Sequence, residues 1–319
     1  MKTPALLFPG QGAQEPGMGR ELADASPEAM YIWKQAEQAS GLPLRAISWE
    51  GDEAAMADTR ALQPALTAAS LALWQSMAPS LRVAGAAGHS LGEYAALAAA
   101  GALSTGKALE LAALRGRLMA EADPDGKGAM CAIVKLDQTA VEALVRDVLA
   151  EGGEMLRIAN YNTPAQFVLS GSRAAIEHAS ALARERGGRA LPLKVSGAFH
   201  SPYMDRAAKE LAKALNKASW NKPRFPVYCN AIGRAVHSGE GIKEAMLIQM
   251  TSSVRWIETI GAQWNDGIRH WLELGPKALL SKMVAPILTA LPVPEGADYT
   301  AECVSSPSRR TKTDRALDV

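Results

Sequence analysis

The stretch Gly88-His89-Ser90-Leu91-Gly92-Glu93-Tyr94 fits Gly-x-Ser-x-Gly, the pattern of a serine set on a sharp turn between a strand and a helix. The glycines let the backbone turn that tightly. The turn lifts the Ser90 hydroxyl clear of its neighbours and brings it near the positive end of the following helix. A serine so placed is poised to attack a carbonyl carbon. The flanking sequence agrees: Arg82–Ala87 reads as a weak strand and Leu91–Ala100 as a helix stopped by Gly101. Ala95, Ala96, Ala98, Ala99 and Ala100 permit that helix to lie close on a neighbouring sheet.

Working outward, Ala5-Leu6-Leu7-Phe8 reads as a short buried strand ended by Pro9-Gly10. Helical patterns follow over Ser26–Ala39, Gln63–Met77 and, past the elbow, Lys107–Ala122. Strands alternating with helices indicate a parallel α/β sheet. The character changes at the turn signal Asp123-Pro124-Asp125-Gly126. After it come a strand (Ala129–Leu136), a helix (Gln138–Ala150), two strands (Leu156–Ala159, Phe167–Ser170), a helix (Arg173–Arg186) and a strand (Arg189–Leu193). That order is the split, ferredoxin-like β-α-β-β-α-β unit. Residues 124–196 are therefore expected to be a small domain inserted into a large α/β domain made of 1–123 and 197–291. The large domain resumes with a helix around Pro202–Asn216 and strands at Val227–Asn230 and His270–Leu274, the last closed by Leu274-Gly275-Pro276. From Pro292 periodicity is lost. Residues 292–319, with Ser305-Ser306-Pro307-Ser308-Arg309-Arg310, are expected to be a disordered basic tail without catalytic role.

The 319 residues suffice for one large domain, or a large one plus a small one. With 34 Lys+Arg against 33 Asp+Glu, nothing favours wholesale binding of nucleic acid or of an anionic membrane. Cys131, Cys229 and Cys303 are few, distant and odd in number, so neither a disulfide framework nor a metal site is expected. The apolar run Ala5–Phe8 is too short for a signal peptide core, and no stretch reaches transmembrane length. A reducing, cytoplasmic setting is expected.

A serine hydroxyl needs a base at neutral pH. Of His89, His178, His200, His237 and His270, the best candidate is His200, in the loop Ser196-Gly197-Ala198-Phe199-His200-Ser201-Pro202. The bland alternative is that His200 only caps the helix starting near Pro202. No Asp stands out as its orienting acid, which leaves open a backbone carbonyl in that role. Arg115 shares a helix face with Leu111 and Leu118. An arginine among core residues stays charged and needs an anion. The residues leave two readings: a structural ion pair, the commoner fate of such an arginine, or a fork gripping a substrate carboxylate. Arg117 looks solvent-facing. Two decoys fail. Gly101-Ala102-Leu103-Ser104-Thr105-Gly106-Lys107 begins like a phosphate-binding loop, but Ala108 stands where the Mg²⁺-binding hydroxyl belongs, and the segment follows a helix. Gly10-Gln11-Gly12-Ala13-Gln14-Glu15 misses the dinucleotide fingerprint at Glu15.

Taken together, seven pieces in order resemble the malonyl-CoA:acyl carrier protein transacylases of fatty acid synthesis. They are Phe8-Pro9-Gly10-Gln11-Gly12-Ala13-Gln14, Gln63-Pro64-Ala65, Gly88-His89-Ser90-Leu91-Gly92-Glu93, Arg115-Gly116-Arg117-Leu118-Met119, Asn160-Tyr161-Asn162, Gly197-Ala198-Phe199-His200-Ser201 and Leu272-Glu273-Leu274-Gly275-Pro276. The resemblance implies a large hydrolase-like parallel-sheet domain with an inserted ferredoxin-like small domain. It implies Ser90 as the acylated nucleophile and His200 as its base, oriented by a backbone carbonyl near Gln249. The oxyanion hole would be the backbone N–H groups of Gln11 and Leu91. Arg115 would bind the malonyl carboxylate, and Gln63 would line the pocket. Gln249, Phe199, Asn160 and Asn162 would complete the substrate-binding set. Ser253 departs from the proline of many members, so the local turn is expected to differ. Phe199 resembles malonyl-selective members, its ring crowding a branched acyl group.

The implied activity is malonyl transfer from malonyl-CoA to the phosphopantetheine thiol of acyl carrier protein through a malonyl-serine, supplying fatty acid elongation. It needs no cofactor, since malonyl-CoA is a substrate and phosphopantetheine belongs to the acceptor. The expected partners are malonyl-CoA and acyl carrier protein, with the chain a monomer. The alternatives are the same transfer in polyketide synthesis or a malonate decarboxylase system, a serine thioesterase or esterase with water as acceptor, and a non-catalytic carrier-protein binding module.

Overall fold

A computed structural model describes residues 3–306 other than 153 and 295. Its strands are β1 (Ala5–Phe8), β2 (Gly85–Gly88), β3 (Gly128–Val134), β4 (Leu156–Thr163), β5 (Gln166–Ser172), β6 (Arg189–Pro192), β7 (Val227–Cys229), β8 (Arg234–Val236), β9 (His270–Leu274) and β10 (Thr300–Val304). Six of them form one sheet in the order β10-β9-β1-β2-β7-β8. All its pairings are parallel except β7 with β8, an antiparallel hairpin at the edge. The other four form a sheet in the order β4-β5-β3-β6.

Strand alternation divides the large sheet between two cores. Ala5, Leu7, Ala87 and Trp271 face Trp256, Ile260, Leu280 and Val284 of the helices Trp256–Asn265 and Leu280–Thr289. Leu6, Phe8 and Ala86 face the opposite side, packed with the helices Pro27–Ser40, Thr59–Met77, Gly92–Ala99 and Thr105–Ala120. A central strand buried on both faces has no polar side to show, which is why Ala5-Leu6-Leu7-Phe8 is an unbroken apolar run.

In the small sheet, Cys131, Ile133, Phe167 and Leu169 pack on the helices Gln138–Ala150 and Arg173–Glu185. The alternate residues Met130, Ala132 and Val168 turn the other way and join the main core. One face of the small sheet is thereby laid over the end of the large one.

The unstructured tail expected from residue 292 is corrected. Thr300–Val304 is a fifth parallel strand, running beside β9 from Thr300 opposite His270 to Val304 opposite Leu274. Tyr299 stands edge-on to Trp264 and Trp271 and anchors its start. The strand has little apolar alternation of its own; its pairing with β9, this aromatic contact and the packing of Ala301 and Val304 against the two cores order it. Residues 307–319 lie outside the described residues.

Candidate active site

Strand β2 ends at Gly88 opposite Phe8 of β1, and Ser90 takes the next sharp turn at φ 51°. The helix Gly92–Ala99 starts at once. A Cβ on Gly92 would lie 1.9 Å from the Phe8 carbonyl oxygen, so only glycine lets this helix begin so close to β1. A non-glycine residue in the left-handed region is strained. Asn230, just past β7, holds the strain in place. Its Oδ1 accepts from the Ser90 backbone N–H at 2.6 Å, and its Nδ2 donates to the Gly88 carbonyl at 2.6 Å.

The Ser90 hydroxyl lies 2.6 Å from His200 Nε2. His200 is itself left-handed, at φ 57°, and buried. The capping alternative is answered by Ser201, whose side chain accepts from the Tyr203 N–H and caps the turn Pro202–Met204. His200 Nδ1 lies 3.0 Å from the Ser252 carbonyl and 3.3 Å from that of Gln249. Both are acceptors, so Nδ1 carries the proton and the Nε2 lone pair faces Ser90. Burial, with the charge of Arg115 and the neighbouring His89, pushes the His200 pKa down to about 3, while the two carbonyls oppose the shift. The imidazole is thus neutral at neutral pH.

Arg115 is 1% exposed and makes no ion pair with a carboxylate among the described residues. Gly116 lets its helix close on the helix Thr59–Met77, since a Cβ there would meet the Thr59 carbonyl at 2.7 Å. Arg115 Nη1 then donates to Gln63 Oε1 at 2.9 Å, and Nη2 to Ser90 Oγ at 3.0 Å. Its Nε has no partner. Desolvating a guanidinium without an anion costs several kcal/mol. A buried cation, with a donor to spare and aimed at the nucleophile, is built to meet an anion that arrives from outside.

Ser90, His200 and Arg115 line one pocket with Gln11, Leu91, Asn160 and Phe199, roofed by Met130 and Val168. The backbone N–H groups of Gln11 and Leu91 make no hydrogen bond within the described protein, and both residues line the pocket.

Residues 5–308 match the family model of the acyl transferase domain. The malonyl CoA-acyl carrier protein transacylase of Haemophilus influenzae is 40% identical over 308 residues, 94% of this chain and 98% of that protein. The one from Bacillus subtilis is 39% identical over 90% of this chain and 91% of that protein. This chain belongs to the malonyl CoA-acyl carrier protein transacylase family. The solved transacylase of Xanthomonas oryzae superposes with a TM-score of 0.89 at 35% identity, covering 100% of this chain and 98% of its own. A malonyl-transacylase solved in complex with a type II polyketide synthase acyl-carrier protein gives 0.88 at 35%, covering 96% and 97%. The chain is an acyltransferase, and none of its described helices is long and apolar enough to cross a membrane.

Three of the transacylase site residues expected from the sequence stand behind the pocket wall rather than on it. Gln63 is fully engaged with Arg115 and with Met119 Sδ, so it shapes the pocket through the arginine. Asn162 Oδ1 meets His89 Nε2 at 2.8 Å, and the register shifts that flank Tyr161 in β4 aim Asn160 and Asn162 at different targets. Gln249 donates to the Ser90 carbonyl at 2.8 Å and to Glu93 Oε2 at 3.1 Å, and its own carbonyl is the longer of the two on His200.

Glu93, within the elbow motif, is a site residue that the sequence reading does not assign. It is fully buried, and burial raises its pKa to about 7 against the hydrogen bonds from Gln249 and from the Asn230 N–H. A carboxyl in the first turn of an otherwise apolar, alanine-rich helix is the sequence signal for it. Asn230 and Ser252 had no such signal.

Proposed function

We propose that this chain moves a malonyl group from malonyl-CoA to the phosphopantetheine thiol of acyl carrier protein through an ester on Ser90, feeding fatty acid elongation. The observation that carries the reading is the buried Arg115 guanidinium, with no carboxylate at ion-pair distance among the described residues, set 3.0 Å from the Ser90 hydroxyl. A hydrolase working on uncharged esters has no use for a cation there. Malonyl differs from acetyl by one carboxylate, the group that a guanidinium fork binds best.

In the first half-reaction, His200 Nε2 takes the Ser90 proton as Oγ attacks the thioester carbon. The carbonyl oxygen becomes anionic and is met by the N–H groups of Gln11 and Leu91. Each such donor is worth about 3–4 kcal/mol of barrier. The tetrahedral intermediate collapses, the C–S bond breaks, and His200 returns the proton to the departing CoA thiolate. In the second half, the carrier's thiol gives its proton to His200 and attacks the ester, and Ser90 leaves with that proton. Ser252 and Gln249 accept the His200 Nδ1–H throughout and steady the imidazolium between steps.

Arg115 has a second effect. Its charge is among the causes that hold His200 a poor base. A bound malonyl carboxylate neutralises that charge, so the base strengthens when the correct substrate is seated. Acetyl leaves the guanidinium unpaired and His200 weak.

Asn160, whose Oδ1 has no partner, and Phe199 would complete the acyl pocket from the small-sheet and loop sides. The chain acts without a cofactor, as a monomer, in the cytoplasm, where Cys131, Cys229 and Cys303 stay as the free thiols they are. Intact mass after brief exposure to malonyl-CoA, then acyl carrier protein, tests the reading. A malonyl adduct, absent in Ser90→Ala and discharged onto the carrier, supports it. Free malonate without transfer makes the chain a thioesterase.

A further inference from the structure

The orientation of His200 depends on a turn that does not hold itself. Between the helix Gly239–Gln249 and Trp256, the turn's own backbone bonds, Thr251 N–H to Ile248 and Ser252 N–H to Gln249, are both long at 3.3 Å. The Ser252 carbonyl inside it is the nearer acceptor of the His200 N–H.

The neighbours of Ser252 are gripped from strand β4 of the small sheet. Arg157 Nη1 donates to the Thr251 carbonyl at 2.8 Å, and Nη2 donates to Ser253 Oγ at 3.0 Å. Ser253 Oγ donates in turn to the Ile158 carbonyl at 2.6 Å. One residue on, Val254 N–H meets the Ala159 carbonyl at 2.7 Å, and Tyr161 N–H meets the Val254 carbonyl at 2.9 Å. Arg157 is half-buried and makes no ion pair with a carboxylate among the described residues. Its fork is spent on this turn.

We infer that Arg157 and Ser253 are positioning residues for His200, latching the turn that carries its carbonyl acceptor to the small sheet. Position 253 is where proline would lock the backbone through its ring. Serine frees that dihedral, and its hydroxyl supplies a cross-link to β4 instead. Neither Arg157 nor Ser253 lines the pocket, so neither meets the acyl group. If Ser252 drifts, Nδ1 keeps only the longer contact to the Gln249 carbonyl, and the tautomer with the proton on Nε2, useless as a base toward Ser90, gains population. The small sheet thus sets the histidine as well as roofing the pocket. This inference rests on His200 being the base in malonyl transfer.

The test is the rate of Ser90 ester formation from malonyl-CoA, by rapid quench and intact mass, over a range of substrate concentrations. Wild type, Arg157→Ala, Ser253→Ala and Ser253→Thr are compared, each also in a His200→Ala background. Losing one or two net hydrogen bonds of this kind lowers the limiting rate by about tenfold in Arg157→Ala and Ser253→Ala. Half-saturation stays within about twofold, because ground-state binding is untouched. Ser253→Thr keeps the hydroxyl and the rate. In the His200→Ala background neither truncation costs anything further, since the residue they act through is gone. Unchanged limiting rates overturn the latch, and so does an equal loss with and without His200, which would mean general damage. Wild type that forms no ester overturns the functional reading itself, and the latch with it.

Discussion

Replacing Arg115 by alanine should separate malonyl from acetyl transfer. The guanidinium is buried, gives Nη1 to Gln63 and Nη2 to Ser90, and keeps Nε free. A malonyl carboxylate seated there has no water to fall back on. Removing one partner of a buried pair costs about 3–5 kcal/mol. Malonyl-ester formation should therefore slow by about 10²- to 10⁴-fold in the ratio of limiting rate to half-saturation. Acetyl makes no such contact, and in wild type it leaves the cation unpaired. Its rate should hold or rise, because the loss of Arg115 also removes a cause of the depressed His200 pKa. The assay is ester formation from malonyl-CoA and acetyl-CoA, measured by intact mass in wild type, Arg115→Ala and Arg115→Lys. Lysine keeps the charge but not the fork, and should fall between. Gln63 Oε1 loses the guanidinium donor in both variants, so a thermal melt checks that any loss is not unfolding. Equal falls for malonyl and acetyl would refute the clamp and return Arg115 to a structural role.

Three further outcomes follow from the same geometry. His200 titrates in the unfolded chain near its ordinary value but in the fold only near about 3. As pH falls below about 6.5 the unfolded chain binds a proton that the folded one refuses, so wild type should lose about 2 kcal/mol relative to His200→Ala by about pH 5. Denaturant titrations at stepped pH measure this, and parallel curves for the two proteins would contradict it. Phe199→Ala should raise the methylmalonyl-to-malonyl rate ratio by about tenfold or more, the range one extra methyl group commands in an apolar pocket; an unchanged ratio in competition assays places the selectivity elsewhere. Asn230→Ala strands the Ser90 N–H and the Gly88 carbonyl. It should cost about 2–4 kcal/mol in thermal or chemical unfolding, and a neutral result would show that the elbow holds its own strain.

What could be read from the chain alone was local. Gly88–Glu93 specifies a strand, a turn and a helix within a few residues, and the structure delivers them as Gly85–Gly88, Ser90 at φ 51° and Gly92–Ala99. The β-α-β-β-α-β order of the small sheet was legible for the same reason, since each element carries its own period and its own caps, such as Asp137 and Ser172. The helices Gly239–Gln249, Trp256–Asn265 and Leu280–Thr289 went unassigned, although they frame the site and the second core.

Tertiary structure decided whatever depends on partners far along the chain. Arg115 could be an ion pair or a fork until the fold put Gln63, Ser90 and Gln249 around it, with no carboxylate at ion-pair distance among the described residues and Glu93 reached only through Gln249. Gln63 and Asn162 moved from the pocket to its supports because their partners, Arg115 and His89, lie on other elements. Strand β10 exists because β9 and Tyr299 hold it, not because Thr300–Val304 favours a strand strongly. Ser253, in place of the proline of many family members, becomes a cross-link only because β4 lies beside it. Periodicity and turn chemistry act over a few residues and are written in order. A hydrogen-bond partner or a counter-charge is chosen by distance in space, which the order of residues does not carry.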